Sequence, residues 1–381
     1  MLLTTSLGRR LLAPSLLAAL ALSSSPSLVS ADDSVQPLVQ ATADTVPAPP
    51  APGAAPAPAP MPAAAPMPEG SWVAPTPAPC TTPGCGTGNS CGCGTSGCWE
   101  DPCGDGKLFG LFAPSDTCFS QFVSPISNPL YFEDPRALTE VRPIYAHHTI
   151  PGSNAVFNGG QAEYFAVQVR AALSERLSIV ANKDGYIWLD SNNEAVVPDN
   201  NGWANIAAGL KYTLVRDVEN QTLVSAGLIY EVDTGSHKVF QGTGNGEFHP
   251  FLSAGWGPTE NLNLLSSSGF RLPTDNSSGS QMWYWSNHAS YQIIENWYGL
   301  VELNWFHWMS SGRDLPVGFE GGDLLNLGAT PVAGNDIVTM AFGGKKRFGK
   351  MNELGVGYEI PLTDRKDILQ SRLYADVIFR Y

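Results

Sequence analysis

LYADVIFRY, residues 373–381, is the stretch whose reading decides the fold. Successive side chains of a strand point to opposite faces. Leu373, Ala375, Val377, Phe379 and Tyr381 therefore share one face, while Tyr374, Asp376, Ile378 and Arg380, with Arg372 before them, share the other. The first face is apolar and ends on an aromatic ring; the second carries both signs of charge. In a membrane barrel the first meets lipid and the second meets the lumen.

The same template extends upstream. Leu354, Val356, Tyr358 and Ile360 oppose Glu353, Gly355, Gly357 and Glu359, and Val338, Met340 and Phe342 oppose Thr339, Ala341, Gly343, Lys345 and Arg347. Trp297, Val301, Leu303 and Trp305 oppose Tyr298, Glu302 and Asn304. Ile206, Ala208, Leu210, Tyr212 and Leu214 oppose Asn205, Gly209, Lys211 and Thr213, and Phe165, Val167 and Val169 oppose Tyr164, Gln168 and Arg170. LNLLSSSGF (262–270) fits least well, since several serines fall on the lipid side. Short turns at 174–176, 216–220, 257–261, 295–296 and 349–352 interleave with longer loops near 149–160, 189–202, 233–246, 273–280, 310–335 and 361–368. That alternation is expected of periplasmic turns and external loops. Counted from a first strand near 138–150, it predicts an all-β, 12-stranded antiparallel transmembrane barrel over 138–381 with both ends periplasmic.

A soluble sandwich or propeller also alternates apolar and polar residues. Two features favour the membrane. Trp256, Trp283, Trp285, Trp297 and Tyr381 lie near strand ends, where interfacial girdles belong. The inner face is charged along its length, through Glu140, Arg142, Arg170, Lys211, Glu302, Lys345, Glu353, Glu359, Arg372 and Asp376. A lipid-facing Arg or Lys costs about 2–4 kcal/mol at the midplane, and this register is expected to place none there.

Ahead of the barrel the composition changes in steps. Residues 1–31, with Arg9 and Arg10 before an apolar run and Ala31 at the end, read as a secretory signal peptide. Residues 32–79 form a Pro/Ala-rich spacer expected to be disordered and extended. Residues 80–118 are Cys/Gly-rich and hold all 7 cysteines: Cys80, Cys85, Cys91, Cys93, Cys98, Cys103 and Cys118. In an exported chain these are disulfide candidates, with one thiol left over and the pairing open. Residues 119–137 read as a periplasmic lead or plug. Phe109, Phe112, Phe119, Phe122 and Phe132, in and just before it, are too many to leave in water. The formal charge of −14 excludes a nucleic-acid partner, which needs a basic footprint.

The terminal aromatic preceded by alternate apolar residues resembles the recognition signal of bacterial outer-membrane proteins. NPLYFEDPRALTEVRP (128–143), ALSERLSIV (172–180) and GGDLLNLGATPVAGNDIVTMAFG (321–343) resemble a group of outer-membrane barrels of planctomycete-like bacteria. Those barrels are similar in style to the ones named after the phenol-degradation MetA pathway. The resemblance implies a transporter-like barrel and supplies no catalytic residue.

No constellation points to catalysis or to a cofactor. Ser286, Asn287 and His288 invite comparison with outer-membrane phospholipases, but consecutive strand residues cannot share one site, and WSNHASY does not match that family. His288 reads as a lumen histidine. His147, His148, His237 and His249 read as rim or exposed histidines, with no ligand spacing for a metal. Asp314, Glu320, Asp323 and Asp336 make the longest external loop acidic, without an EF-hand pattern. What remains is the lumen, where Arg170, Lys211, Glu302, Lys345, Arg347, Glu353, Glu359, Arg372 and Asp376 are the pore-lining candidates. The expectation is a porin-like facilitator of small solutes in the outer membrane, not an enzyme. Its expected partners are membrane lipids, the barrel-assembly machinery through Tyr381, and a periplasmic or cell-wall partner through the N-terminal segment. The alternatives are a structural tether acting through the Cys-rich head, and an outer-membrane hydrolase.

Overall fold

The computed structural model describes residues 107–381. The expected signal peptide, the spacer and six of the seven cysteines lie outside them. One sheet contains β1 (Glu140–Thr149), β2 (Gly160–Ala172), β3 (Leu177–Lys183), β4 (Tyr186–Ser191), β5 (Asn200–Trp203), β6 (Ile206–Asp217) and β7 (Thr222–Val232). It continues through β8 (Glu247–Trp256), β9 (Leu262–Pro273), β10 (Gln281–Ile294), β11 (Trp297–Ser310), β12 (Asp336–Phe348), β13 (Asn352–Pro361) and β14 (Ser371–Arg380). All pairings are antiparallel, and β1 pairs with both β2 and β14, so the sheet closes on itself. β3 with β4, and β5 with β6, are each two halves of one wall strand, which makes the barrel 12-stranded as expected. Closure matters because a lipid-exposed sheet edge would leave backbone groups without partners.

The breaks within those two wall strands were not legible in the sequence. At Asp184–Gly185 the backbone turns with Gly185 at φ +100°, where an added Cβ would lie 2.2 Å from the Phe165 carbonyl oxygen. The freed groups find new partners: Tyr164 Oη donates to Asp184 O (2.7 Å), and Val167 N–H donates to Asp184 Oδ1 (3.0 Å).

Alternation follows the predicted register. On β14, Leu373 and Phe379 are 41% and 53% exposed, while Tyr374 and Ile378 are 0% exposed. β9, built from the poorly fitting LNLLSSSGF, is a full strand. Its outward Ser268 and Ser266 accept hydrogen bonds from the indoles of Trp283 (3.0 Å) and Trp285 (2.9 Å), so the hydroxyls are not bare in lipid. One charge departs from the expectation: Lys346 stands exposed on the outer face of β12. It lies at the turn end of the barrel, with its ammonium 5.1 Å from the Trp297 ring centre, where a long side chain reaches the interface. Among the described residues no helix is long and apolar enough to cross a membrane; the strands do so.

Candidate functional site

The lumen begins with the residues that enter it before β1. From the turn end of the barrel, residues 113–139 run inward, reverse at Asn128–Tyr131, where Asn128 has φ +48°, and return to feed β1. Their chain is tied to the seam: Ser115 N–H donates to Tyr381 O (2.6 Å), and Tyr381 N–H donates to Thr139 O (3.0 Å). Only a three-residue 3-10 turn, Thr117–Phe119, interrupts an otherwise irregular path. The expected lead or plug lies inside the barrel, where Pro129 O and Leu130 O accept from Gln168 and Asn182 of the wall. Nearer the turn end, Phe119, Phe122 and Phe132 pack with Leu223 and Leu265, close to the turn-side ends of β7 and β9. Phe109, by contrast, is 88% exposed, because it caps the 108–112 turn outside the lumen, where no wall faces it.

An irregular backbone in a membrane barrel must have its polar groups met by side chains, and the wall charges do so. Glu302 accepts the N–H groups of Ile126 (2.9 Å) and Ser127 (2.7 Å), as well as the Ser127 hydroxyl, and lies 2.7 Å from His288 Nδ1. Arg347 donates to Phe122 O (2.8 Å), Arg142 to Pro125 O (2.7 Å) and Gln168 to Pro129 O (2.9 Å). Charged side chains of the inward segment pair with the wall as well. Glu133 bridges Arg170 (2.6 Å) and Lys211 (2.7 Å), and Asp116 bridges Arg216 (2.8 Å). Asp134 and Arg136 pair with each other at 2.7 Å.

A second insertion comes from the opposite end. The loop 311–335, expected to be an acidic external loop, folds inward, so Glu320 and Asp323 are buried rather than displayed to solvent. The burial is supported by partners. Asp323 pairs with Arg372 (2.8 Å), and Glu320 accepts the N–H groups of Leu327 (2.9 Å) and Ala329 (2.8 Å), capping its own loop. Arg271 donates to Gly322 O (2.9 Å). Leu130 of the first insertion and Leu324 of the second belong to one buried apolar cluster.

All nine pore-lining candidates face the lumen. Lys345 joins Asp376 (2.9 Å) and Glu353 (3.3 Å), and Glu353 also takes Arg380 (2.7 Å). Glu359 accepts from Tyr374 Oη (2.7 Å) and Asn304 (2.9 Å). Arg142 completes the Asp376 group at 2.7 Å. The geometry brings Glu133, Asp134, Arg136, Glu320 and Asp323 into the same network, none of which was among the candidates. Alternation identifies only residues on strands, so charges carried in by insertions leave no periodic signal. Two histidines also differ from expectation. His148 and His249 are buried in the lumen because each sits on the inward register of its strand; His288 is in the lumen as predicted. Cys118, among the described residues, is disulfide-bonded.

No protein-family model matches the chain, and no curated protein matches it. Among solved structures, an outer membrane channel from Pseudomonas putida F1 is similar, with TM-score 0.48 and 12% identity over 68% of this chain and 100% of that one. The NanC porin gives TM-score 0.39 and 12% identity over 63% of this chain and 97% of its own. The KdgM porin in complex with disordered oligogalacturonate gives 0.38 and 11% over 64% and 99%. Likenesses this remote carry no substrate or partner across to this chain.

Proposed function

We propose that this outer-membrane barrel is a passive facilitator for small solutes, described here in a closed state. One observation carries the reading: the lumen is filled by two insertions, 113–139 and 311–335, packed against the wall's side chains, and not by the wall's side chains alone. Twelve strands enclose more space than the eight-stranded barrels whose interiors side chains fill. With the insertions displaced, Arg170, Lys211, Lys345, Arg347 and Arg372 opposite Glu302, Glu353, Glu359 and Asp376 would line a mixed-charge path, and rings of charge set selectivity. Kinship with the MetA-pathway-style barrels, a periplasmic N-terminal region and assembly through Tyr381 belong to the same proposal. The test is conductance of the refolded barrel in planar bilayers, alongside a variant with loop 311–335 shortened. Openings in the parent, more frequent in the variant, support the reading. Silence of both in every salt tested would falsify it.

A second reading has its own support. Buried ion pairs join the inward segment to the wall at Glu133 and Asp116, and Cys118 within that segment is disulfide-bonded. A permanently filled barrel of this kind suits an envelope tether working through its Cys-rich head. Non-reducing gels distinguish it: thiol-sensitive multimers support tethering, and a monomer throughout removes it.

A further inference from the structure

We infer that Glu231, Glu247 and His249 form a site for a divalent transition-metal ion in the outer half of the lumen. Glu231 is near the end of β7, and Glu247 and His249 share the inward face at the start of the adjacent β8. His249 Nε2 lies 3.3 Å from Glu247 Oε2 and 3.9 Å from Glu231 Oε2, and one ligand atom from each residue lies within 4.8 Å of the others. Nitrogen and oxygen ligands at about 2.0–2.1 Å from a four-coordinate ion stand about 3.3–3.4 Å apart. The three atoms are within about 1.5 Å of that arrangement.

A second observation points to a ligand. Glu231 Oε2 is buried without a hydrogen-bond partner, although Oε1 of the same carboxylate takes Lys183 Nζ (2.5 Å) and Asn205 Nδ2 (2.8 Å). A buried carboxylate oxygen left bare is costly, and this one faces His249 Nε2. The charge balance agrees. Four carboxylates, Glu231, Asp233, Glu247 and Glu320, surround the site, against two cations, Lys183 and Arg271. A divalent ion supplies the difference. One imidazole and two carboxylates suit zinc, cobalt, manganese or iron better than calcium, which takes oxygen ligands alone.

Outer partners are in place to orient the ligands. Lys183 and Asn205 hold Glu231. Asn326, from the outer insertion, donates to Glu247 Oε1, and the Tyr131 ring, at the reversal of the inner insertion, stands edge-on 5.2 Å from the His249 ring. The site is therefore where wall and both insertions converge. An ion held there fixes the orientation of the wall residues that Asn326 and Tyr131 of the two insertions contact.

The test uses the full exported chain in detergent, equilibrated with Zn2+ or Co2+, desalted and analysed for bound metal. The expected result is one ion fewer per chain in Glu231→Gln and in His249→Ala than in the parent, with loss of the visible Co2+ absorption assigned to that ion. His147→Ala, which removes an outer-wall histidine, should match the parent. Because cysteines also take these ions, the difference between parent and variants is the readout. If His249→Ala does not refold, the shape-preserving Glu231→Gln decides alone. Equal metal in parent and variants, or none in either, overturns the site and leaves His249 as a hydrogen-bonding partner of Glu247. Conductance plays no part in the measurement, so failure here is distinct from failure of the channel reading.

Discussion

The two insertions fill the same lumen by different means. The inner one, 113–139, is held by the wall: Glu302 takes two of its N–H groups, Arg170 and Lys211 converge on Glu133, and Arg142 and Arg347 take its carbonyls. The outer one, 311–335, has fewer ionic ties to the wall; Glu320 bonds within the loop, and neutral acceptors and donors such as Leu324 O and Asn326 make most of its other contacts. The insertion's ionic contact with the wall strands at hydrogen-bonding distance is Asp323 with Arg372. Buried charges tied across two elements lock those elements together, whereas a carboxylate spent on its own loop stabilises only the loop's shape. The comparison makes the outer insertion the easier one to move.

Four measurements would break or sharpen this contrast. The largest effect is expected at Glu133. Glu133→Ala leaves Arg170 and Lys211 buried with one carboxylate fewer, a loss of about 3–5 kcal/mol, read by urea unfolding in detergent. A change below about 1 kcal/mol would show that the inner insertion is not locked by charge. Next comes Asp323→Ala, where Arg372 keeps Tyr374 and a 3.9 Å approach to Glu359. The expected cost is about 1.5–3 kcal/mol, and channel openings should become more frequent. If openings rise more for Glu133→Ala than for Asp323→Ala, the order of the two insertions is reversed.

A smaller, pH-dependent effect is expected at Asp367, in the neighbouring loop 362–370. Its carboxylate accepts the Glu320 N–H (2.9 Å) and pairs with Arg365 (2.8 Å), and burial pushes its pKa up from 3.8 to about 6. With the docked pKa above the free one, the docked loop holds a proton that the released loop gives up. Docking therefore strengthens as pH falls from about 6 toward 4 and is weakest above 6. Open probability should fall between pH 7 and pH 5, and Asp367→Asn should flatten that profile. An unchanged profile in the variant would place the titrating group elsewhere. The smallest effect on docking is Gln241→Ala, which removes its bond to Leu324 O (3.1 Å) and also the acceptor of the Asn205 N–H (3.1 Å); each should cost about 0.5–1.5 kcal/mol, with a modest increase in openings.

Much of the wall was legible because lipid imposes a strict rule. A residue facing hydrocarbon must be apolar, so a period of two in Leu373–Tyr381 or Leu354–Ile360 carries the register with it, and the alternation of short turns and long loops carries the strand count. Where the rule was relaxed, the reading was least secure. Ser266 and Ser268 break the pattern, yet they lie beneath two indoles that only neighbouring β10 supplies. The candidate site was half legible. The nine named strand charges do face the lumen, but Lys183, Arg216, Glu231, Glu247 and Arg271 of the wall were not among them, and several partners come from 113–139 and 311–335, where nothing is periodic.

By itself, then, the sequence determined a closed, lipid-facing barrel and a charged interior, since both follow from alternation along single strands. Only the tertiary structure decided that the interior is occupied, that Glu320 and Asp323 point inward, and that Glu231 meets Glu247 and His249 across two strands. The reason is physical: solvent class acts on each residue separately and leaves a local pattern. The pairing of buried charges depends on which segments are brought together, and no local pattern records that.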